Sequence, residues 1–128
     1  RVTAPLGDRA RIIGRVDEAA KHAWYAAADV FCLPSLLEGF GLPVLEAMGH
    51  GTPVVTSAGT ATAEVVGDAG LVVDPTDADA LAEALDAVLA DPDLAERLGG
   101  VGRRRAADMT WEAAAEATVA VYREVLGR

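Results

Sequence analysis

The sequence has a single cysteine, few aromatic residues and no long apolar run, and these absences exclude several classes of protein. One thiol, that of Cys32, excludes an internal disulfide, which fits a reducing cytosol. No segment reaches the ~20 apolar residues needed to cross a bilayer, so we expect no membrane span. The formal net charge of −9 argues against nucleic-acid and anionic-membrane partners, because basic patches hold both. We therefore expect a cytoplasmic protein.

What the sequence does contain is aliphatic material for one domain. Its 128 residues suit a single domain, and 52% of them are apolar, many of them alanine. Aromatic residues make up only 5%, so the core must rest on leucine, valine and isoleucine. Because an alanine buries little area, the composition predicts alanine-rich helices against a short aliphatic sheet.

Short apolar runs alternate with helical patterns in the first part of the chain. The predicted strands are residues 10–13, 30–33, 53–56 and 71–73. A helix from Glu18 to about Ala27, capped by Asp17, and a short helix with Pro43 in its first turn lie between them. Continuous apolar strands are typical of parallel sheets. The pattern predicts a doubly wound α/β fold, with a parallel, Rossmann-like sheet and helices on both faces.

From about residue 77 only helices are predicted. Their starting residues are Thr76 or Asp77, then Asp91 with Pro92, and finally Thr110. We expect three glycines to weaken the second of these helices near its middle: Gly99, Gly100 and Gly102. On the last helix, Trp111 and Tyr122 are expected to be packing residues. In the first helix of the chain, one stripe carries Ala20, Ala23, Trp24 and Ala27.

The stretch from Pro34 to Met48 carries the chemical information, since it lies where a strand ends and a helix begins. In open parallel sheets ligands bind at that edge, and the first amides of a helix have no internal partner. The helix dipole favours anions there. Gly39 and Gly41 let the backbone approach a ligand closely or adopt a positive φ. A phosphate or a sugar hydroxyl therefore suits the junction.

Two carboxylates accompany this junction, Glu38 just before the turn and Glu46 about one turn into the helix. A carboxylate accepts two hydrogen bonds side by side, which matches a vicinal diol such as the ribose 2′ and 3′ hydroxyls. Two carboxylates beside a phosphate are electrostatically unfavourable. They fit this junction only if they face hydroxyl groups while backbone amides face the phosphates. The alternative is a helix-capping loop whose acids face solvent.

The motif Pro-Ser-x-x-Glu-Gly-Phe-Gly-Leu-Pro-x-Leu-Glu-Ala-Met, residues 34–48, resembles the signature of the family-four (group 1) retaining glycosyltransferases of GT-B architecture. The resemblance continues in order through residues 51–55, 64–75 and 81–85 and on to Trp111 and Tyr122-Arg123, so that it covers nearly the whole chain. It implies that residues 1–128 are a partial C-terminal nucleotide-sugar-binding domain, truncated at the N-terminus.

The resemblance also assigns roles to individual residues. Glu46 matches the glutamate that binds the ribose of a nucleoside-diphosphate sugar, and Glu38 the catalytic one near the donor sugar's reacting face. Contacts to the donor's sugar and distal phosphate are implied for the turn at Gly39 and for the backbone amides of Phe40, Gly41 and Leu42. The backbone around Arg15 and Val16 matches the segment that reads the base.

The same resemblance implies transfer of a hexose-type sugar with retention of configuration, without a bound metal or any cofactor. The family's Arg and Lys pair, which carries most of the charge that meets the phosphates, has no match in this sequence. Its acceptor-binding N-terminal domain has none either. We therefore expect the chain alone to be inactive. A non-catalytic nucleotide- or sugar-binding or interaction module, or a nucleotide-sugar epimerase, is an alternative.

The family's domain has two strands that precede any match in this chain. Without them, the strand at 10–13 would lose its neighbours and the strand at 30–33 would become an exposed edge. We expect a further upstream segment, a rearranged N-terminus, or self-association through that edge.

The remaining polar residues are given structural roles. His22 and His50 have no ligand companions at useful spacing, so we expect surface histidines and no metal site. Cys32 is interpreted as a buried structural thiol. Glu64 is interpreted as a structural cap. Phosphate contacts are also predicted from Thr60 and Thr62. The run Arg103–Arg105 is interpreted as a solvated helix face, with a phosphate site as the alternative.

Overall fold

A computed structural model describes residues 4–127 of the chain. A 3-10 helix, Ala4–Arg9, comes first, and a second short one, Gly67–Ala69, precedes the last strand. The strands are β1 (Phe31–Leu33), β2 (Val54–Ser57) and β3 (Gly70–Val73). The helices are α1 (Glu18–Ala27), α2 (Leu42–His50), α3 (Ala61–Val66), α4 (Ala78–Ala90), α5 (Pro92–Asp108) and α6 (Trp111–Leu126).

The three strands form a parallel sheet in the order β1-β2-β3. Phe31 is opposite Val54, and Val54 is opposite Gly70, so the carboxyl ends of all three strands meet at one edge. In the described part of the chain β1 pairs only with β2, as expected for an edge strand.

The predicted strand at residues 10–13 is wrong. These residues have no regular structure, and Ile12 and Ile13 are 82% and 50% exposed. A strand needs a partner's backbone groups, and within residues 4–127 no strand pairs with the free side of β1. Gly14, at φ 69, ends the run with a turn that a strand does not allow.

Helices cover both faces of the sheet, which confirms the predicted α/β arrangement. The central strand β2 is fully buried and alternates between the two faces. Val54 packs with residues of α2 and α3, and Val55 packs with residues of α4 and α5. Each fully buried valine contributes roughly 1.5–3 kcal/mol relative to an exposed one.

Helix α1 begins at the predicted cap, since the Asp17 carboxylate accepts a hydrogen bond from the Ala20 amide at 2.8 Å. Its buried face differs from the predicted stripe, because Trp24 is 55% exposed while Tyr25 is buried. The Tyr25 ring packs edge-on against Phe31 at 5.4 Å. Helix α1 therefore turns its tyrosine, not its tryptophan, towards α2 and the sheet.

The helical tail has the predicted caps. The side chains of Asp77, Asp91 and Thr110 accept hydrogen bonds from the first-turn amides of α4, α5 and α6. Within residues 4–127 the two residues expected to pack on α6 are not covered, since Trp111 and Tyr122 are 80% and 64% exposed. Among the helices of residues 4–127, none combines the length and the apolar character that a bilayer crossing requires.

Helix α5 is continuous through its three glycines, and two of them, Gly99 and Gly102, allow close contact with α2 and the residue that follows it. A Cβ atom on Gly99 would lie 2.2 Å from the carbonyl oxygen of Gly51, and one on Gly102 would lie 3.4 Å from Met48 Cγ. The loss of helix propensity at these positions is therefore offset by close packing of α5 against α2.

We expect Gly99→Ala to lower the free energy of unfolding by about 1–3 kcal/mol, because the added methyl group overlaps a backbone oxygen that cannot rotate away. Gly100→Ala is the matched control, since its Cβ would meet only Arg104 Nη1 at 3.7 Å. That change should stabilise the helix by about 0.5–1 kcal/mol. Chemical denaturation of both variants measures the difference, and equal effects would contradict the packing role.

Candidate functional site

The junction between β1 and α2 has the predicted geometry. Helix α2 begins at Leu42, with Pro43 in its first turn, at the edge where the parallel strands end. Gly41 is its N-cap at φ 93, and the Val44 amide donates to the Gly41 carbonyl at 2.9 Å. Because Pro43 has no amide hydrogen, the amides nearest this end of the helix belong to Gly41 and Leu42.

Gly41 allows the junction to lie directly against α3. A Cβ atom at this position would be 2.5 Å from Thr62 Cγ2, in addition to the strain of a positive φ. A side chain here would push α3 away from the first turn of α2. The glycine is therefore required by its surroundings, whatever the junction binds.

Hydrogen bonds among three threonine hydroxyls hold Thr62, the residue that contacts Gly41, in place. Thr56 Oγ1 is 3.0 Å from the carbonyl oxygen of Leu33, to which it donates, and 2.7 Å from Thr62 Oγ1. Thr60 Oγ1 lies 2.7 Å from Thr62 Oγ1. Thr62 is fully buried with its hydroxyl bonded, which argues against the predicted phosphate contact from it. A contact from half-buried Thr60 stays a prediction.

The Glu46 carboxylate is held by helix α1. Lys21 Nζ donates to Glu46 Oε1 at 2.8 Å, and the Tyr25 hydroxyl donates to Glu46 Oε2 at 3.0 Å. Lys21 also pairs with Glu18 at 2.9 Å. The Glu46 side chain remains 31% exposed, so its contacts with α1 do not seal it from solvent.

These contacts fix the charge states of the three groups. Burial raises the pKa of Glu46, but the hydrogen bonds from Lys21 and Tyr25 outweigh it and hold the pKa below its usual value. Burial, together with the Glu46 acceptor, raises the pKa of Tyr25 to about 12. Hydrogen bonds to Glu46 and Glu18 raise the pKa of Lys21. At neutral pH an ionised carboxylate therefore accepts from a neutral phenol and an ammonium group.

Glu38 lies in the loop before α2, partly buried. Its Oε1 atom accepts a hydrogen bond from the Ser35 hydroxyl at 2.9 Å, which holds the side chain against the end of β1. Its neighbours Leu36 and Leu37 are 75% and 87% exposed. No hydrogen bond within residues 4–127 joins Glu38 to Glu46, and the two carboxylates contact different elements.

The other predicted site residues have fewer contacts. Arg15 and Val16 lie exposed in the irregular chain before α1, and Gly39 and Phe40 lie exposed in the turn before Gly41. Their roles towards a ligand stay predictions.

Arg105 is not part of a solvated face, contrary to expectation. Its Nε and Nη2 atoms donate to the carbonyl oxygens of Val65 and Glu64 at 2.7 Å each. The predicted capping role of Glu64 is wrong, because Glu64 lies inside α3, whose N-cap is Thr60. Its carbonyl oxygen is instead one of the two acceptors of Arg105.

Sequence reasoning missed the residues of α1 that meet α2. Besides Lys21 and Tyr25, His22 comes within hydrogen-bond distance of His50, with Nδ1 and Nε2 2.9 Å apart. The spacing of Glu46 and His50 by four residues places both on one face of α2, which was a usable signal. Which helix covers that face is a tertiary property. In the part of the chain that the structure describes, no three His, Cys, Asp or Glu side chains form a metal-binding group.

Two cavities adjoin the junction, and Phe40 lines both. The larger, about 470 Å³, lies between the first turns of α2 and the α5–α6 connection, lined mainly by apolar side chains that include Leu42, Met109 and Trp111. The smaller, about 210 Å³, is lined by residues that include Gly39, Glu64 and Arg105. Behind the junction, burial raises the pKa of the Cys32 thiol, which agrees with a structural role for it.

Both the sequence and the structure of the chain are similar to those of known proteins. The family described as glycosyl transferases group 1 matches residues 3–105. The MMP alpha-(1->4)-mannosyltransferase of Mycolicibacterium hassiacum is 46% identical over 83% of this chain and 27% of its own length. The O-antigen chain mannosyltransferase B of Escherichia coli is 43% identical over 88% and 30%. The sucrose-phosphate synthase of Thermosynechococcus elongatus superposes with a TM-score of 0.84 at 41% identity, covering 96% of this chain and 32% of that one.

The chain thus spans about a third or less of the length of these three relatives. The structural match confirms the predicted part of a GT-B fold. Because the family match extends over most of the chain and includes the whole junction, the chain belongs to the group 1 glycosyl transferase family.

Proposed function

We propose that the chain is the donor-binding part of a retaining glycosyltransferase, which holds a nucleoside-diphosphate sugar at the β1–α2 junction. The observation that carries the proposal is the position of Glu46. An ionised, solvent-facing carboxylate stands one helical turn beyond the first amides of α2, on the same helix face as Leu42.

Each part of such a donor has a suitable counterpart here. The first-turn amides and the positive end of the α2 dipole suit the diphosphate. The Glu46 carboxylate suits the two ribose hydroxyls, since it can accept both side by side. The backbone at Arg15 and Val16 would read the base, which requires no polar side chain at Val16.

Glu38 is proposed to act at the donor sugar. Its Ser35 hydrogen bond holds it in the loop next to Gly39 and Phe40, where a sugar attached to the diphosphate would lie. A negative group at this place would stabilise positive charge that develops on the sugar ring. Transfer would proceed with retention of configuration and without a metal or another cofactor.

The rest of the reaction is assigned to parts beyond this chain. Two relatives are named mannosyltransferases, which favours a hexose-type donor sugar. The acceptor and the phosphate-binding Arg and Lys pair would belong to other regions of a longer, cytoplasmic protein, and the chain alone would be inactive. A non-catalytic nucleotide-binding module is the rival, and it would bind nucleotide without transferring a sugar.

Replacing Glu46 by alanine in the full-length protein should weaken nucleoside-diphosphate binding by about ten- to a few-hundredfold, because two hydrogen bonds to a charged group are lost. Titration calorimetry with ADP, GDP and UDP measures the change. Glu83→Ala, which removes an exposed carboxylate from α4, should leave the affinity unchanged. An unaltered affinity in the Glu46 variant would remove this residue from the ribose role.

Replacing Glu38 by alanine should instead reduce turnover more than donor binding, because its partner is the reacting sugar. We expect kcat to fall by about a hundredfold or more, with less than a tenfold change in the nucleotide Kd. The matched control is Glu96→Ala on the exposed face of α5. Binding of nucleotide by the wild type without any transfer to candidate acceptors would favour the non-catalytic module.

A further inference from the structure

Helix α1 supplies two hydrogen-bond donors to the carboxylate that is proposed to bind ribose. Lys21 donates to one oxygen of Glu46 at 2.8 Å and Tyr25 donates to the other at 3.0 Å. The division is even, with one donor for each oxygen. Lys21 is also the sole lysine of the sequence, against ten arginines, so its ammonium group is unusual for this chain.

Each oxygen therefore keeps accepting capacity. An ionised carboxylate offers about four lone-pair sites, and the two donors of α1 occupy one on each oxygen. The Glu46 side chain is 31% exposed, so the unused side is open to a ligand. What remains free is a pair of acceptor sites, one per oxygen, in the plane of a carboxylate that cannot rotate without breaking a hydrogen bond.

We propose that Lys21 and Tyr25 are positioning residues that orient the Glu46 carboxylate for two-point recognition of the ribose diol. The proposal rests on the proposed function of Glu46 and adds the source of its geometry and its selectivity. A carboxylate held this way favours two adjacent hydroxyls over one, and thus ribose over 2′-deoxyribose.

Both donors are themselves held in place, as positioning requires. The Tyr25 ring packs edge-on against Phe31 and stacks with His50 at a centroid distance of 6.0 Å. The Tyr25 carbonyl accepts a hydrogen bond from the Thr52 hydroxyl at 2.6 Å. The Lys21 ammonium group is divided between Glu46 and Glu18, and its side chain is 28% exposed. Preorganised donors lose little freedom when the ligand binds.

The arrangement also reduces the electrostatic repulsion expected between the Glu46 carboxylate and a nearby diphosphate. The Lys21 ammonium group offsets the Glu46 charge while leaving its acceptor sites available. The titratable groups around Glu46 are Glu18, Lys21, His22 and Tyr25 of α1 and His50 of α2. Of these, Lys21 and Tyr25 make the hydrogen bonds that keep the pKa of Glu46 low.

The test uses Tyr25→Phe and Lys21→Met in the full-length protein, with calorimetric titration of ADP, GDP and UDP and of their 2′-deoxy counterparts. For the ribonucleotide that binds best, each variant should lose about 5- to 50-fold in affinity. The deoxynucleotide should lose less than about threefold, because it makes only one contact with the carboxylate. Lys21→Arg, which keeps a charged donor, should restore part of the preference.

The pH dependence of binding distinguishes positioning residues from residues that only stabilise the fold. It should change if Lys21 and Tyr25 act through Glu46, and should stay the same if their role is only structural. The wild type should lose ribonucleotide affinity as the pH falls through the pKa of Glu46, which lies below its usual value. Removing either donor takes away one hydrogen bond that lowers this pKa, so the pKa rises and the loss should begin at a higher pH. Matched controls are Tyr122→Phe and Arg97→Met, which remove the same kinds of group from exposed positions of α6 and α5.

The outcomes separate the two proposals. Suppose that Glu46→Gln weakens binding while both α1 variants keep the wild-type affinity, the preference for ribose and the wild-type loss of affinity at low pH. The positioning role is then overturned and the proposed function stands. Equal losses for ribo- and deoxyribonucleotides in the α1 variants, with melting temperatures unchanged, would also overturn it. If neither the wild type nor Glu46→Gln binds any of the six nucleotides, the proposed function itself fails.

Discussion

The position of helix α2 is the constraint on which the rest of the structure depends. Its buried residues Val44, Ala47 and Met48 are fully enclosed, and other elements touch it on every side. Two of those approaches require glycine, α3 against Gly41 and α5 against Gly51 through Gly99. Because protein interiors are close-packed, such contacts leave the helix little room to shift. Packing on three sides therefore fixes the position and direction of the first turn of α2.

The fourth side of α2 is polar, and there the contact is made by charge and hydrogen bonds instead of close packing. Lys21 and Tyr25 of α1 meet Glu46, and His22 meets His50 one turn further along. A half-buried ion pair of this kind adds little stability, because desolvation offsets much of its attraction. Its value lies in geometry, since it fixes a carboxylate that also faces solvent.

The exposed apolar side chains have a distinct distribution. On α6 they include Trp111, Tyr122 and Leu126, and the helix has no buried residue. Around the junction Leu36, Leu37 and Phe40 are exposed as well. The well-packed part of the structure is the sheet with α2 to α5.

Most of the local structure could be predicted from the sequence. The caps at Asp17, Asp77, Asp91 and Thr110 each placed a helix start, because a capping side chain acts on amides two or three residues away. Three parallel strands followed from short apolar runs, and the junction followed from its glycines and Pro43. The family resemblance, carried by the same stretch, was confirmed by the match over residues 3–105.

The predictions that failed were about which surfaces meet. The run at 10–13 is apolar enough for a strand, but a strand exists only where a partner offers its backbone. The spacing of apolar residues predicted that Trp24 is buried, but Tyr25 is the residue of α1 that packs against α2. The low helix propensity of the α5 glycines was predicted, but the contact of Gly99 with Gly51 was not.

The sequence by itself determined the capped helix starts, the three paired strands and the two glutamates of the junction, since propensity, capping and motif are local. Only the tertiary structure decided that α1 lies beside α2, so that Lys21 and Tyr25 reach Glu46 across 25 and 21 residues. Such pairings depend on how whole faces pack, and no local pattern in either helix encodes its partner.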